Sequence, residues 1–355
     1  MLDSAILDFL ATRAAEVDRT QAWPAEQFAH LAQAGVLGWF IPEEFGGIPV
    51  SGDDRLIGYE ELSTACLTTA FILTQRNGAC QRIANSQNES LKVRLLPALA
   101  GGQTFATVGI SHLTTSRQHV RTPAVQVELQ GNTLQVNGLI PWVTGAPFAQ
   151  HIVTGGVCPD GRQVLIALPT DAAGVSIQPH ARLLALTASH TATVEVQQTR
   201  LSSDFLLAGP VENVMQSGVG AGTGGLTTSV LALGLAQRCL NLIETQAGMR
   251  ADIRPVAEPF AAEVGQLRTD LFQAAKEEDI SPGKTLPAAV IRQRANSLAL
   301  RMSQATLAIS KGAGYVTGHP AELAVREALF FLVWSCPQPV VNEYLRELSC
   351  SDLVD

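Results

Sequence analysis

The chain reads as an α+β protein in three blocks, helical at both ends and β-rich in the middle, and three observations carry that reading. Apolar residues recur at three- and four-residue spacing from Met1 to about Thr104 and again from about Gly209 onward. Between these stretches, Phe105 to Ala208 breaks into short alternating runs separated by turn residues. The length of 355 residues is more than one compact core ordinarily uses. The expected division is an N-terminal helical domain at 1–104, a middle antiparallel β-barrel or sandwich at 105–208, and a C-terminal four-helix bundle at 209–355.

In the first block, Leu2, Ile6, Leu7, Leu10, Ala14 and Val17 share one helical face, and Phe28, Leu31, Ala32, Gly35 and Val36 share another. A third helix is predicted over Asp54 to Thr74. Before it, Ile41-Pro42-Glu43-Glu44-Phe45-Gly46-Gly47 reads as a turn, because a proline and paired glycines punctuate it. In the second block, Val125 to Leu129 and Thr133 to Val136 alternate across Gly131-Asn132, which predicts a hairpin; His151 to Thr154, Val164 to Leu168 and Thr191 to Val196 read as further strands. In the third block, Leu226 to Gln246, Phe260 to Lys276, Pro287 to Ser310 and Glu322 to Val333 are each long enough for a bundle helix, with a turn at Pro282-Gly283.

Composition narrows the function classes. The chain is 46% hydrophobic and 16% charged, against a usual charged share of roughly 25%. The deficit is concentrated in the middle block, which has ten formal charges in its 104 residues. A β-unit lodged between helical neighbours, or self-association, accounts for it. Net charge is −8 and the 24 basic residues are scattered, which argues against nucleic-acid binding. Six cysteines lie far apart with no paired-cysteine motif, so neither a metal site nor a disulfide framework is expected and a cytoplasmic setting is. No signal peptide is read at Met1. The charge-free stretches Leu129 to Pro159 and Asn213 to Gln237 are too polar and glycine-rich for a membrane span.

Few local motifs carry chemistry. Gly220 to Gly225 satisfies the dinucleotide fingerprint in letters but lacks a preceding strand and a βαβ setting. Of seven histidines, His112 is the one to watch, since it follows a short apolar run in a polar loop with Ser111 and Ser116. Trp142 and Thr144 are two residues apart on a predicted strand and so share a face. There the indole could cover an aromatic ring while the hydroxyl bonds its edge, or the Trp could simply fill the core.

Taken in order, these pieces resemble the acyl-CoA dehydrogenase superfamily of FAD flavoproteins. Pro42-Glu43-Glu44-Phe45-Gly46-Gly47 is similar to its P-E-x-[YF]-G-G signature, and Trp142-Val143-Thr144-Gly145 to its W-[IV]-[TS]-N flavin segment. Gly234-Leu235-Ala236-Gln237-Arg238 is similar to its G-[IL]-A-x-[RA] helix. The stretch Lys311-Gly312-Ala313-Gly314-Tyr315, with Pro320, Glu322 and Arg326-Glu327-Ala328, is similar to G-G-x-G-[YF]…P-x-E…R-[DE]-A. The resemblance implies FAD, a homodimer or homotetramer, acyl-CoA as substrate, and an electron-transfer flavoprotein as electron acceptor. It places Trp142, Thr144, Ser111, Ser116, Arg250 and Gly312 at the cofactor, Arg250 toward a neighbouring subunit's FAD.

Departures from the family pattern bear on the reaction. The family's glutamate base, in a [YF]-E-G-T loop after R-[DE]-A, is replaced by Ser335 in Trp334-Ser335-Cys336-Pro337. The alternative glutamate, before the glycine-containing helix, is replaced by Gly224 and Gly225. The flavin loop keeps Ser111 and Ser116 without its Glu and Gly, and the first glycine of the family's pair is Lys311. A serine hydroxyl is a far weaker base than a tuned carboxylate, and general-base catalysis is worth roughly 10²–10⁴ in rate. The expected activity is therefore an FAD-dependent oxidation at the CH–CH group of an acyl thioester with weakened base catalysis, Ser335 and His112 being the catalytic candidates. A flavin-dependent monooxygenase of the same superfamily and a non-catalytic binding or assembly paralogue are the alternatives.

Overall fold

A computed structural model describes residues 2–114, 122–218, 225–278, 286–334, 336 and 338–349. The N-terminal region consists of α1 (Ser4–Thr20), α2 (Ala25–Gln33), α3 (Gly52–Ala65), α4 (Leu67–Ala84) and α5 (Glu89–Ala100). Polar caps start three of them: Asp3, Ser51 and Asn88 accept the N–H of Ala5, Asp54 and Leu91, satisfying donors that the first turn leaves open.

The single helix expected over Asp54 to Thr74 is two helices. Cys66 leaves helical backbone at φ −152° and ψ 103°, and α4 restarts at Leu67. Periodicity missed the break and the end at Ala84: Leu67 to Leu73 are all buried, so no solvent face imposes a polar stripe to mark where one helix stops and the next runs. The turn at Ile41 to Gly47 is present. Gly46 takes φ +83°, and a Cβ on Gly47 would lie 1.6 Å from the Ile41 carbonyl oxygen, so neither position tolerates a side chain.

The middle region holds β1 (Ala106–Gly109), the single helical turn α6 (Ser111–Thr114), and then β2 (Val125–Gln130), β3 (Thr133–Val143), β4 (His151–Val157), β5 (Gln163–Pro169), β6 (Val175–Ile177), β7 (Ala192–Ser202) and β8 (Leu206–Val211). They form one sheet in the order β6-β7-β3-β2-β4-β5-β8, with β1 beside β4. The predicted hairpin is β2–β3, pairing Val127 with Val136 and Gln130 with Thr133 across Gly131-Asn132. The sheet is mixed, because β1 and β2 run parallel to β4 while the other pairs are antiparallel. The chain from Gly109 to His151 is long enough for the crossover that a parallel β1–β4 pair requires.

The C-terminal region contains α7 (Leu226–Met249), α8 (Arg254–Glu278), α9 (Ala288–Gly314), α10 (Pro320–Phe330) and a further helix, α11 (Gln338–Ser349). By length and composition α7 could cross a membrane, yet 72% of its most apolar window is buried inside the protein. Its hydropathy is that of a central bundle helix.

One hydrophobic core runs through both helical regions, joining Leu62, Leu67 and Phe71 to Leu231, Leu235 and Phe331. A close approach is at Gly234, where an added Cβ would meet the Glu60 carbonyl oxygen at 2.7 Å; beside it, Ser63 Oγ donates to the Leu231 carbonyl oxygen at 2.7 Å. The sheet has its own interior around Val127, Ile140, Ile166 and Val194, and docks on α4 and α5 through Cys80, Leu96, Val108 and Val153. Helices and sheet thus meet along α4.

Candidate active site

A cavity of about 870 Å³ opens where the three regions meet, within the size range of small-molecule and cofactor sites. One wall is α4, through Phe71, Thr74, Gln75, Gly78 and Arg82; a second is the sheet edge, through Val108, Ile110, Ser111, Trp142, Thr144 and Thr191; a third is C-terminal, through Thr228, Leu329, Phe330 and Trp334. Phe71, Phe330 and Trp334 close one side as an aromatic cluster. The ring centroids lie 4.9 Å apart for Phe71–Phe330 and 5.1 Å apart for both Phe71–Trp334 and Phe330–Trp334.

Trp142 and Thr144 both reach the cavity, but not as alternate residues of a regular strand. The β3–β7 register slips between Ile140 and Val143, and Trp142 sits in that bulge with φ +58°. A bulge re-aims a side chain, and here it leaves the indole 58% exposed while Thr144 is 2% exposed. Left-handed backbone at a bulky residue costs on the order of 1–3 kcal/mol and persists where the surroundings over-determine it. Thr144 Oγ1 lies 3.2 Å from Thr191 Oγ1, which lies 2.9 Å from Ser189 Oγ, and the Gly145 N–H donates to the Ser189 carbonyl oxygen at 2.8 Å. Ser189 and Thr191 were not singled out in the sequence, because they come from the loop before β7 and no local motif marks them.

Of the other expected residues, Ser111 lines the cavity, its Oγ donating to the Pro141 carbonyl oxygen at 3.2 Å. His112 does not line it: Nε2 lies 2.9 Å from the Gly155 carbonyl oxygen, because α6 turns that side chain toward β4. Arg250 and Gly312 lie elsewhere. Arg250 Nη1 donates to the Ile309 carbonyl oxygen at 3.1 Å and Nη2 to Asp252 at 2.9 Å, and neither residue contributes to this cavity. Next to Gly312, Lys311 holds φ +53° and ψ −147°, a conformation suited to glycine. Ser116 and Ser335 lie outside the described residues, as does Gly220 to Gly224.

The electrostatics of the lining are one-sided. Among the described residues lining the cavity there is no carboxylate; the charged ones are Arg82 and Arg326. Arg326 is held by Asp18 of α1 at 2.6 Å and by Glu322, and its Nη1 donates to the Leu184 carbonyl oxygen at 3.2 Å. That hydrogen bonding to Arg326 holds the Glu322 carboxyl below its ordinary value. Glu327 points elsewhere, into a buried pair with Arg238, where burial pushes its carboxyl up.

The sequence profile of the acyl-CoA dehydrogenase N-terminal domain matches residues 2–103. Probable acyl-CoA dehydrogenase YngJ of Bacillus subtilis (strain 168) is 25% identical over 339 residues, covering 90% of this chain and 88% of that protein. Residues 2–103 thus carry an acyl-CoA dehydrogenase N-terminal domain, and the likeness to acyl-CoA dehydrogenases extends along most of the chain. A second relative, 3-sulfinopropanoyl-CoA desulfinase of Paraburkholderia xenovorans (strain LB400), is 25% identical over 355 residues, covering 92% of this chain and 88% of that protein. The butyryl-CoA dehydrogenase of Megasphaera elsdenii shares the fold, with a TM-score of 0.81 at 18% identity over 96% of each chain. The two names describe different reactions, so the comparisons support a flavoprotein oxidoreductase framework and not one substrate.

FAD is the cofactor of an acyl-CoA dehydrogenase superfamily protein, and the wall residues fit it. An exposed indole offers a face to a flat ring, and Thr144 and Thr191 place hydroxyls beside it. Gly225, Thr227 and Thr228 bring the N-terminus of the 24-residue α7 to the cavity, where free backbone N–H groups and the helix dipole favour negative charge.

Proposed function

We propose that the chain is an FAD-dependent oxidoreductase acting at the CH–CH group of an acyl thioester, with weaker base assistance than a carboxylate would provide. The observation that carries this reading is the cavity itself, which joins a ring-binding wall at Trp142 and Thr144 to an aromatic and aliphatic wall at Phe71, Leu329, Phe330 and Trp334 suited to an acyl chain. FAD, when bound, supplies the hydride acceptor. Trp142 would hold the ring, with the Thr144 and Thr191 hydroxyls beside its edge and the α7 N-terminus toward its negative charge. Closing three regions over the reacting carbons excludes water, which strengthens each of these interactions. Ser335 stands at the family's base position, and with no carboxylate among the described lining residues the α-proton acceptor is left unassigned. A homo-oligomer in the cytoplasm that passes electrons to an electron-transfer flavoprotein belongs to the same reading.

The visible spectrum of the purified protein tests it first. A flavin spectrum that bleaches anaerobically with acyl-CoA supports desaturation, and a colourless preparation that takes up no FAD sinks any flavoenzyme reading. Ser335→Glu is expected to raise the bleaching rate by at least 10-fold; an unchanged rate counts against Ser335 as the base position. The carboxylate-free lining also favours a second reading, flavin-dependent monooxygenation, because reaction of reduced flavin with oxygen needs no α-proton base. Substrate-dependent oxygen consumption without anaerobic bleaching would select it.

A further inference from the structure

Behind the aromatic wall of the cavity lies a buried arginine to which hydride and proton transfer give no task. Arg292, near the start of α9, is 2% exposed. Its Nη2 donates to the Trp334 carbonyl oxygen at 2.7 Å, and its guanidinium carbon lies 5.7 Å from the Trp334 ring centroid and 5.9 Å from that of Phe331. One turn further along the same face of α9, Asn296 Nδ2 donates to the Phe331 carbonyl oxygen at 2.9 Å. The Cys336 thiol reaches both carbonyl oxygens, at 3.2 Å for Phe331 and 3.4 Å for Trp334.

These contacts answer a need at the end of α10. A helix leaves its last carbonyls unpaired and carries partial negative charge there, which a cation offsets. α10 has Glu322 in its first turn but no basic residue in its last, so the cation comes from α9 instead. For that need alone a buried arginine is costly, because it forfeits its hydration, and Nε and Nη1 find no oxygen or nitrogen partner among the described residues. What the guanidinium adds is geometry. Its planar group bonds the carbonyl and rests over the indole of the same residue, so it fixes backbone and ring together. That residue is Trp334, whose indole stacks on Phe330 at an interplanar angle of 14° and meets Phe71 of α4 edge-on at 82°.

We propose that Arg292 is a positioning residue that sets the Trp334 indole in the cavity wall, and so shapes the surface on which the acyl chain rests. The ligand in this statement rests on the acyl-thioester reading above; the placement of the indole does not.

Near-ultraviolet circular dichroism of the FAD-loaded protein tests the placement, because an indole gives a sharp band only when its surroundings are fixed. Subtracting the spectrum of Trp334→Phe from that of wild type isolates the Trp334 band. In an Arg292→Met background the same subtraction is expected to give a band smaller by roughly half or more, and in an Arg292→Lys background an intermediate one, since an ammonium bonds the carbonyl without the planar stack. Butyryl-CoA and octanoyl-CoA, titrated calorimetrically, test the wall. Arg292→Met is expected to weaken the one that binds by roughly 2–10-fold, the worth of an aromatic contact. With Trp334 already replaced by Phe, the same substitution should weaken it by less than about twofold, because residues that act through one another are not additive. Superimposable wild-type and Trp334→Phe spectra overturn the proposal without any Arg292 variant having to fold. An undiminished band in the Arg292→Met background overturns it as well, and so does an equal loss of affinity in both backgrounds, the result of a merely structural arginine. If neither thioester binds while the band still falls in Arg292→Met, the acyl-thioester reading fails and the positioning of Trp334 stands.

Discussion

Trp142 illustrates how a single residue can be named from sequence and still be misplaced in detail. Its pairing with Thr144 was legible, but the route was not: the bulge and the φ of +58° are what present the indole to the cavity. Trp142→Gly removes the ring and relieves the backbone. Chemical denaturation of the apo protein is expected to show stability within about 1 kcal/mol of wild type, whereas FAD titration should show affinity lower by roughly 3–10-fold, the worth of an aromatic stack. Unaltered FAD affinity would remove Trp142 from the flavin wall. His190 makes a similar point for pH. It has φ +46°, places Nε2 3.0 Å from the Gln21 carbonyl oxygen, and lies with its ring centroid 4.3 Å from that of His180. Burial, then the neighbouring His180, holds its pKa below the ordinary 6.5. The unfolded chain therefore binds more protons than the folded one just below that pH, so His190 contributes stability above pH 6.5 that is lost as pH falls toward its folded value. His190→Asn, which suits left-handed backbone, should flatten the fall in Tm on that acid limb; a curve parallel to wild type would contradict the assignment.

At the scale of elements, the signatures that carried the family resemblance prove to be steric devices. The glycine pair after Phe45 is needed because Gly46 is left-handed and Gly47 packs against the Ile41 carbonyl. Gly234, in the helix signature, lets α7 approach α3 more closely than any side chain permits. Gly47→Ala and Gly234→Val are each expected to cost roughly 2–4 kcal/mol by denaturant unfolding, and a loss under 1 kcal/mol at either would contradict the packing described. Helices with a wet face, such as α1 and α2, were readable from their period. The break at Cys66 and the second half of α4 were not, although α4 supplies one wall of the site, because burial of Leu67 to Leu73 erases the polar stripe on which the period depends.

At the scale of the whole molecule, Arg326 ties three regions together: Asp18 of α1, Glu322 on its own helix, and the Leu184 carbonyl of the loop before β7. Arg326→Met leaves Asp18 without its cation and should lower stability by about 1.5–3 kcal/mol. Because these contacts border the cavity, FAD affinity should fall with it. Loss of stability without loss of FAD affinity would separate the clamp from the site. Bound FAD should in turn stabilise the assembled molecule, by about 2.7 kcal/mol at a free concentration a hundred times its Kd. Thermal unfolding of apo protein across an FAD series measures that, and a Tm indifferent to FAD would place the cofactor elsewhere or nowhere.

The order of helical, β and helical blocks, the hairpin at Gly131-Asn132 and the resemblance to acyl-CoA dehydrogenases were all legible in the sequence itself. Each depends on local periodicity, turn chemistry or residue identity along the chain. Tertiary structure alone decided that Ser189 and Thr191 join Thr144, that His112 turns away, that Arg250 and Gly312 sit apart from the cavity, and that Arg82 stands in its wall. These are relations between residues distant along the chain. They follow from how α4, the sheet edge and α7 close on one another, which no local pattern encodes. The low charge content has the same double origin: its amount is written in the composition, whereas the absence of a carboxylate among the described lining residues is a consequence of packing.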